Sequence, residues 1–217
     1  VWTQRYPPSP VRVPHRLISC SSPDRGLHIL LHLWPEIRQA VPDASLHIFY
    51  EVKKWIQGSQ HIINEIGQRA RYIGDRLVRL EGHGVHLRNA VPPMTLAGEL
   101  AKSEFYVFPC FTISFTEGFS CSTLESLAAG TVPIITDMDA LGEVYKDSGA
   151  VIVPIGNRRT AWIDTYRDRL IEMLLHGRVE GEDLTLDDRR LKCRRFAEAY
   201  DFSIIGPKFH AILEEGI

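Results

Sequence analysis

The sequence predicts an α/β domain with a Rossmann-like, doubly wound parallel sheet, and three observations support that prediction. Short apolar runs alternate with longer segments of helical periodicity along most of the 217 residues. Strands that alternate with helices form parallel sheets through right-handed crossovers, with helices on both faces. Polar, glycine-containing loops follow two of the apolar runs, and in this fold class such loops lie at the ligand-binding edge of the sheet.

The apolar runs define six predicted strands, and eight further segments carry a helical pattern. Pro35 should bend or interrupt the first helix, because proline removes an amide donor from the helix interior. Gly74 and Asp75 should close the second helix. The predicted strands are 16–20, 46–50, 85–87, 105–108, 132–136 and 150–153, and the predicted helices are 27–41, 56–73, 95–102, 122–129, 140–145, 162–175, 186–199 and 204–213.

Composition predicts a proline-rich extended linker over residues 1–15 and one folded domain over 16–217, including the carboxyl-terminal helices. A formal charge of −2 gives no reason to expect a nucleic-acid partner. The four cysteines form no CxxC pair, which favours reduced thiols and a cytoplasmic protein, either free or at the periphery of a membrane. No apolar run is long enough for a transmembrane segment.

The stretch 105–137 organises the rest of the chain. It reads as a buried strand, a polar loop over 112–121, a helix and a second buried strand. Glu117 lies in the loop and Glu125 lies in the helix, eight positions later. This arrangement places both carboxylates at the carboxyl end of a strand, beside helix amides that suit a phosphate. The alternative is a surface acid and a carboxylate that complements the helix dipole.

A second loop, SSPDRG, follows the first predicted strand. It contains Ser21 and Ser22 and ends in Arg25 and Gly26 at the start of a helix. A cation at a helix amino terminus is suited to holding a phosphate. The alternative is a plain turn with Asp24 as the helix cap.

The segment from Glu117 to Ile134, EGFSCSTLESLAAGTVPI, resembles the E-x7-E motif of retaining GT-B glycosyltransferases of the family 4 type, EGFG-x-x-x-x-EAMA-x-G-x-PVI. The resemblance is to their carboxyl-terminal, donor-binding domain, and it implies one Rossmann-like half of such an enzyme. It implies that Glu117 faces the donor sugar and that Glu125 binds the ribose. It also assigns the diphosphate and the rest of the donor to the residues between them: Gly118, Phe119, Ser120, Cys121, Ser122, Thr123 and Leu124.

The same resemblance extends to two other segments. The family's GRL-x-x-x-KG loop places its Lys-Gly on Arg25 and Gly26, but its upstream Arg falls on Cys20, so one cation is missing. Ser21 and Ser22 would then donate hydrogen bonds to the nucleotide-sugar, and Arg25 must neutralise more of the diphosphate charge.

The segment VHLRNAV resembles the family segment whose backbone contacts the nucleobase. The resemblance assigns the nucleobase to Arg88, Asn89, Ala90 and Val91. The alternative is a simple strand-to-helix connection.

By resemblance, the function is transfer of a sugar from a UDP- or GDP-linked donor to a glycan or other hydroxyl acceptor, with retention. Glu117 and Arg25 are the predicted catalytic residues, and no cofactor or metal is expected. The acceptor-binding, amino-terminal half would come from the same or another chain. Two alternatives remain open: a non-catalytic nucleotide or nucleotide-sugar binding module, and a metal-dependent transferase that uses the DxD residues Asp137 and Asp139, although Asp139 could equally cap a helix.

Overall fold

The structure is a computed structural model that describes residues 1–6, 10–112, 116–156 and 160–215. Within these ranges, the strands are β1 Arg16–Ser19, β2 Ser45–Ile48, β3 Val85–Leu87, β4 Phe105–Phe108, β5 Val132–Thr136 and β6 Val151–Val153. The six described strands form one parallel sheet in the order β3-β2-β1-β4-β5-β6, which confirms the predicted fold class and all six predicted strands.

Helices cover both faces of the sheet. The helix α1 packs with α3 and α7, while α5 packs with α4 and α8, so that two helical layers enclose the central strands. Every residue of β4 and β5 is buried, as expected for a parallel sheet covered on both sides. The helices are α1 Leu27–Ala40, α2 Val52–Ser59, α3 Glu65–Arg79, α4 Pro93–Lys102, α5 Cys121–Ala128, α6 Leu141–Tyr145, α7 Ala161–His176, α8 Leu186–Glu198 and α9 Phe202–Glu215.

The prediction of one helix over 56–73 was wrong. The structure has two helices there, α2 and α3, because Asn64 starts a new helix. Its side chain accepts a hydrogen bond from the amide of Gly67 at 3.2 Å. A Cβ at Gly67 would lie 1.9 Å from the carbonyl oxygen of Ile62, so the turn between the helices requires glycine. The predicted stop at Gly74 was also wrong, since α3 continues to Arg79.

The first helix runs through Pro35 without interruption. Proline has no amide to donate to the carbonyl of Leu31, four residues earlier. Arg76 of α3 takes that place: its Nε and Nη2 donate to the Leu31 oxygen at 3.1 and 2.8 Å. A guanidinium from the neighbouring helix therefore completes the hydrogen bonding that the proline leaves open.

Replacing Arg76 with Met is expected to lower the free energy of unfolding by about 1–3 kcal/mol, because the buried Leu31 carbonyl loses its donors. Restoring a backbone amide with Pro35→Ala in the Arg76→Met background should recover most of the loss. Arg79→Met, an exposed change on the same helix, serves as the control. Urea unfolding of the four proteins provides the comparison, and an Arg76→Met protein as stable as the control would contradict this role.

The amino-terminal segment packs against the domain. The Arg12 guanidinium donates to the carbonyls of Ala101 at 3.0 Å and Ala129 at 2.8 Å, and it also bonds the carbonyl of Ser103. These carbonyls lie at the ends of α4 and α5, where helices leave acceptors unsatisfied. Residues Thr3–Arg5 form a short 3-10 turn, and the division between a linker and a domain at residue 15 stays a prediction.

In the part of the chain that the structure describes, none of the helices combines the length and the apolar character that crossing a membrane would require.

Candidate functional site

The candidate site lies at the carboxyl edge of β1 and β4, which are neighbours in the sheet. The SSPDRG loop after β1 forms a short 3-10 turn, Pro23–Arg25, that leads directly into α1. Gly26 has φ = 136°, and a Cβ there would lie 2.3 Å from the carbonyl oxygen of Pro109, just after β4. Glycine at this position therefore lets the loops after β1 and β4 touch.

Between these loops is an open crevice with a volume of about 410 Å³. It contains the guanidinium of Arg25 and the carboxylate of Glu117, together with residues from the amino terminus of α5. Two loops that are distant in the sequence thus meet at one ligand-sized site. The lining residues are Ser21, Ser22, Asp24, Arg25, Glu117, Phe119, Ser120, Cys121 and Ser122.

Arg25 and Glu117 form an ion pair inside the crevice. Glu117 is only 5% exposed, and a buried carboxylate is costly without a cationic partner. The backbone on both sides of Glu117 is also held, because its amide donates to the carboxylate of Asp139 at 2.8 Å and its carbonyl accepts from Ala140 at 3.3 Å. The backbone of Glu117 is therefore anchored to the segment between β5 and α6.

Ser120 caps the amino terminus of α5. Its hydroxyl accepts from the amide of Thr123 at 3.2 Å, and its carbonyl accepts from the amide of Leu124 at 3.1 Å. These two amides are therefore already bonded, and both residues are buried. Among the described residues, the amides of Cys121 and Ser122 have no partner, which leaves them for an anion at the helix terminus.

Ser21 and Ser22 have different roles in the loop. The Ser22 hydroxyl donates to the carboxylate of Asp24 within the same turn. Ser21 instead contacts Ser122 of α5 at 2.9 Å and the hydroxyl of Tyr106 at 2.7 Å. Sequence reasoning missed Tyr106, because it stands in an apolar strand and gives no pattern that distinguishes it from a core aromatic.

Glu125 lies one turn into α5, outside the residues that line the crevice. Its half-buried carboxylate has no hydrogen bond within the described residues, and burial raises its pKa. The terminal amino group and Arg5 are the positive charges that act on it. Among the described residues, Glu125 is thus a carboxylate without a hydrogen-bond donor. Gly118 is also outside the lining, and a Cβ there would meet open space.

The segment predicted to read a nucleobase follows β3, three strand positions from β4. That separation corresponds to about 14 Å across the sheet. Arg88, Asn89 and Ala90 are exposed, Val91 packs partly against the core, and the four residues do not line the crevice. Arg88 is anchored to the sheet edge because its Nε donates to Nδ1 of His47 at 3.3 Å.

The DxD carboxylates are bonded to the backbone. Asp137 accepts from the amide of Ile155 at 2.7 Å, and Asp139 accepts from the amide of Glu117. The suggested helix cap at Asp139 was wrong, since α6 begins after Ala140 without a side-chain cap. Within the described ranges, the structure shows no cluster of three or more His, Cys, Asp or Glu side chains that could hold a metal ion.

The sequence matches the family described as glycosyl transferases group 1 over residues 16–171, most of the chain and all of the crevice. The chain belongs to this family. One relative, a protein of Acidianus filamentous virus 2 (isolate Italy/Pozzuoli) named as glycosyltransferase ORF330, is 36% identical over 89 residues. That match covers 39% of this chain and 25% of the viral protein.

Solved structures share the fold of this family member. The pneumococcal O-GlcNAc transferase GtfA, in complex with UDP and GlcNAc, matches 94% of this chain with a TM-score of 0.67 and 17% identity. Sucrose-phosphate synthase from Thermosynechococcus elongatus matches 99% with a TM-score of 0.69 and 13% identity. The chain spans 36% and 50% of these two proteins. The resemblance to one Rossmann-like half of a GT-B glycosyltransferase is thereby confirmed.

Proposed function

We propose that the chain is the donor-binding half of a retaining, metal-independent glycosyltransferase that uses a UDP- or GDP-linked sugar. The observation that carries the proposal is the meeting of Arg25 and Glu117 in one crevice at the amino terminus of α5. A cation and free helix amides suit a diphosphate, and an adjacent carboxylate suits sugar hydroxyls.

In the proposed reaction, the bond between the sugar and the diphosphate breaks while negative charge grows on the leaving diphosphate. The Arg25 guanidinium and the amides of Cys121 and Ser122 stabilise that charge by preorganised electrostatics. Arg25 shifts from Glu117 to the diphosphate when the donor binds. Glu117 then accepts hydrogen bonds from the sugar and orients it. The acceptor oxygen forms the new glycosidic bond on the face from which the diphosphate departs, and the acceptor proton passes to the departing diphosphate.

The acceptor is bound by a second domain, in the same or another chain. The support for this is the length of the relatives, since this chain spans half or less of the GtfA and sucrose-phosphate synthase chains. The acceptor is a glycan or another hydroxyl compound. The four free cysteines favour a cytoplasmic setting.

A non-catalytic nucleotide-binding module is the second candidate, favoured by the same short span. Calorimetry with UDP- and GDP-sugars, with and without chelator, tests binding and its metal independence. Donor binding that requires a divalent metal would favour the metal-dependent alternative, although Asp137 and Asp139 already accept backbone hydrogen bonds. Sugar transfer or donor hydrolysis in the presence of the partner domain separates the enzyme from the module.

Glu125→Gln is expected to weaken UDP binding about tenfold, because a carboxylate accepts ribose hydroxyl hydrogen bonds more strongly than an amide does. The change should also reduce the preference for UDP over 2′-deoxy-UDP, which lacks one of those hydroxyls. Calorimetry with both nucleotides measures the two effects. Glu143→Gln, an exposed change on α6, is the control. An unchanged preference for UDP in Glu125→Gln would remove Glu125 from the ribose site.

A further inference from the structure

Three hydroxyl groups form a triangle beside the crevice, and one of them, Ser122 Oγ, also lies 3.2 Å from Ser120 Oγ. Ser21 Oγ lies 2.7 Å from the Tyr106 hydroxyl and 2.9 Å from Ser122 Oγ, and the Tyr106 and Ser122 hydroxyls are 2.8 Å apart. Each distance is that of a hydrogen bond between hydroxyls. The triangle joins the loop after β1, the strand β4 and the first turn of α5.

The two serines and the tyrosine differ in access. Ser21 and Ser122 line the crevice, whereas Tyr106 is fully buried behind them. Burial also raises the pKa of Tyr106 well above its usual value, so the phenol keeps its proton. The buried phenol therefore has a proton to donate to a serine oxygen, and the two half-buried serines that line the crevice can turn toward a ligand.

The side chains that line the crevice carry more negative than positive charge, so a bound anion needs uncharged hydrogen-bond donors as well. Among the lining residues, the one guanidinium, Arg25, stands against two carboxylates, Asp24 and Glu117. A diphosphate consequently meets no surplus of positive charge. The position where the family's pattern has a further arginine is occupied here by Cys20, whose thiol supplies no positive charge.

We propose that Tyr106 is a positioning residue that allows Ser21 and Ser122 to donate to the diphosphate of the bound nucleotide. In the empty site the three protons can satisfy the three contacts of the triangle. When the diphosphate binds, both serine protons turn outward to its oxygens, and Tyr106 donates its own proton to one of the serine oxygens. The two hydrogen bonds that the serines donate within the triangle are replaced by two hydrogen bonds to the diphosphate. A hydrogen bond to an anion is roughly twice as strong as one between neutral groups. This inference rests on the proposed function.

Tyr106→Phe tests the proposal, since it removes only the buried hydroxyl. We expect its affinity for inorganic pyrophosphate and for UDP to fall about five- to tenfold, the usual effect of one lost hydrogen bond. Tyr166→Phe is the matched control: this tyrosine is also fully buried, and its hydroxyl donates to the carbonyl of Ile134 at 2.7 Å, far from the triangle. The control should bind both ligands within about twofold of wild type.

The two serines of the loop after β1 provide a second test and its control. Ser21→Ala should weaken pyrophosphate binding, and Ser21→Thr, which keeps a hydroxyl, should restore most of it. Ser22→Ala should have little effect, because that hydroxyl donates to Asp24. In Tyr106→Phe/Ser21→Ala the two losses should not add, because both changes break the same triangle.

Thermal melting of each variant separates binding from folding. A Tyr106→Phe protein that melts like Tyr166→Phe but binds pyrophosphate and UDP as wild type does would overturn the inference. Equal losses of affinity in the two tyrosine variants would also overturn it. The proposed function fails by a different result: a wild-type protein that binds neither UDP nor GDP.

Discussion

In Arg25→Ala, the affinity for UDP is expected to fall about 100-fold, which corresponds to roughly 3 kcal/mol. The first reason is the loss of charge-assisted hydrogen bonds between the guanidinium and the diphosphate. The second is that the buried carboxylate of Glu117 loses its partner and then repels the incoming anion. Calorimetry with UDP at low and moderate salt measures the loss.

The two reasons can be separated with a second change. Arg25→Ala/Glu117→Gln also removes the unpaired carboxylate of Glu117. The double variant should therefore bind UDP more tightly than Arg25→Ala alone, although two of its site residues are changed. Arg195→Ala, an exposed arginine on α8, is the control for a general loss of positive charge. Binding of UDP by Arg25→Ala within threefold of wild type would contradict a diphosphate site at Arg25.

Acid is expected to destabilise the domain steeply between pH 6.5 and about 3. Burial, helped by nearby arginines, lowers the pKa of His28 and of His47 to about 3 in the folded protein. In the unfolded chain both would titrate near 6.5. Below pH 6.5 the unfolded state therefore binds protons that the folded state does not, so the free energy of unfolding falls as pH falls.

Each histidine can contribute up to about 1.4 kcal/mol per pH unit within that window. His47 faces Arg16 and Arg88, which oppose its protonation, while Glu99, the ion-pair partner of Arg16, offsets part of that effect. Urea unfolding at a series of pH values gives the slope. His28→Gln/His47→Gln should flatten it between pH 6 and 4, and His61→Gln, an exposed histidine, should leave it unchanged. Equal slopes in wild type and the double variant would contradict the prediction.

Local patterns were enough to predict much of this protein. Apolar runs and helical periodicity arise because a strand or helix buries one or both of its faces. The spacing of apolar residues along the sequence therefore indicates which faces are buried. It gave all six strands and the parallel sheet. It also placed Arg25 and Glu117 on loops after β1 and β4. The resemblance of the whole segment 117–134 to the family motif indicated the family that the match over residues 16–171 then showed.

The same patterns failed where a single side chain decides the outcome. The break between α2 and α3 depends on the cap at Asn64, within a segment whose periodicity continues on both sides. No break occurs at Pro35, where Arg76, 41 positions away in the sequence, donates to the Leu31 carbonyl. In each case a specific hydrogen bond outweighed a general propensity.

The sequence by itself determined the residue types at the candidate site and the edge of the sheet on which they lie. Only the tertiary structure decided that Arg25 pairs with Glu117, that Asp139 holds the Glu117 loop, and that a tyrosine of β4 bonds to two serines. The reason is that these contacts join segments brought together by strand order and crossover. Periodicity fixes which face of each element is buried, but the neighbours across that face depend on how the whole sheet is assembled.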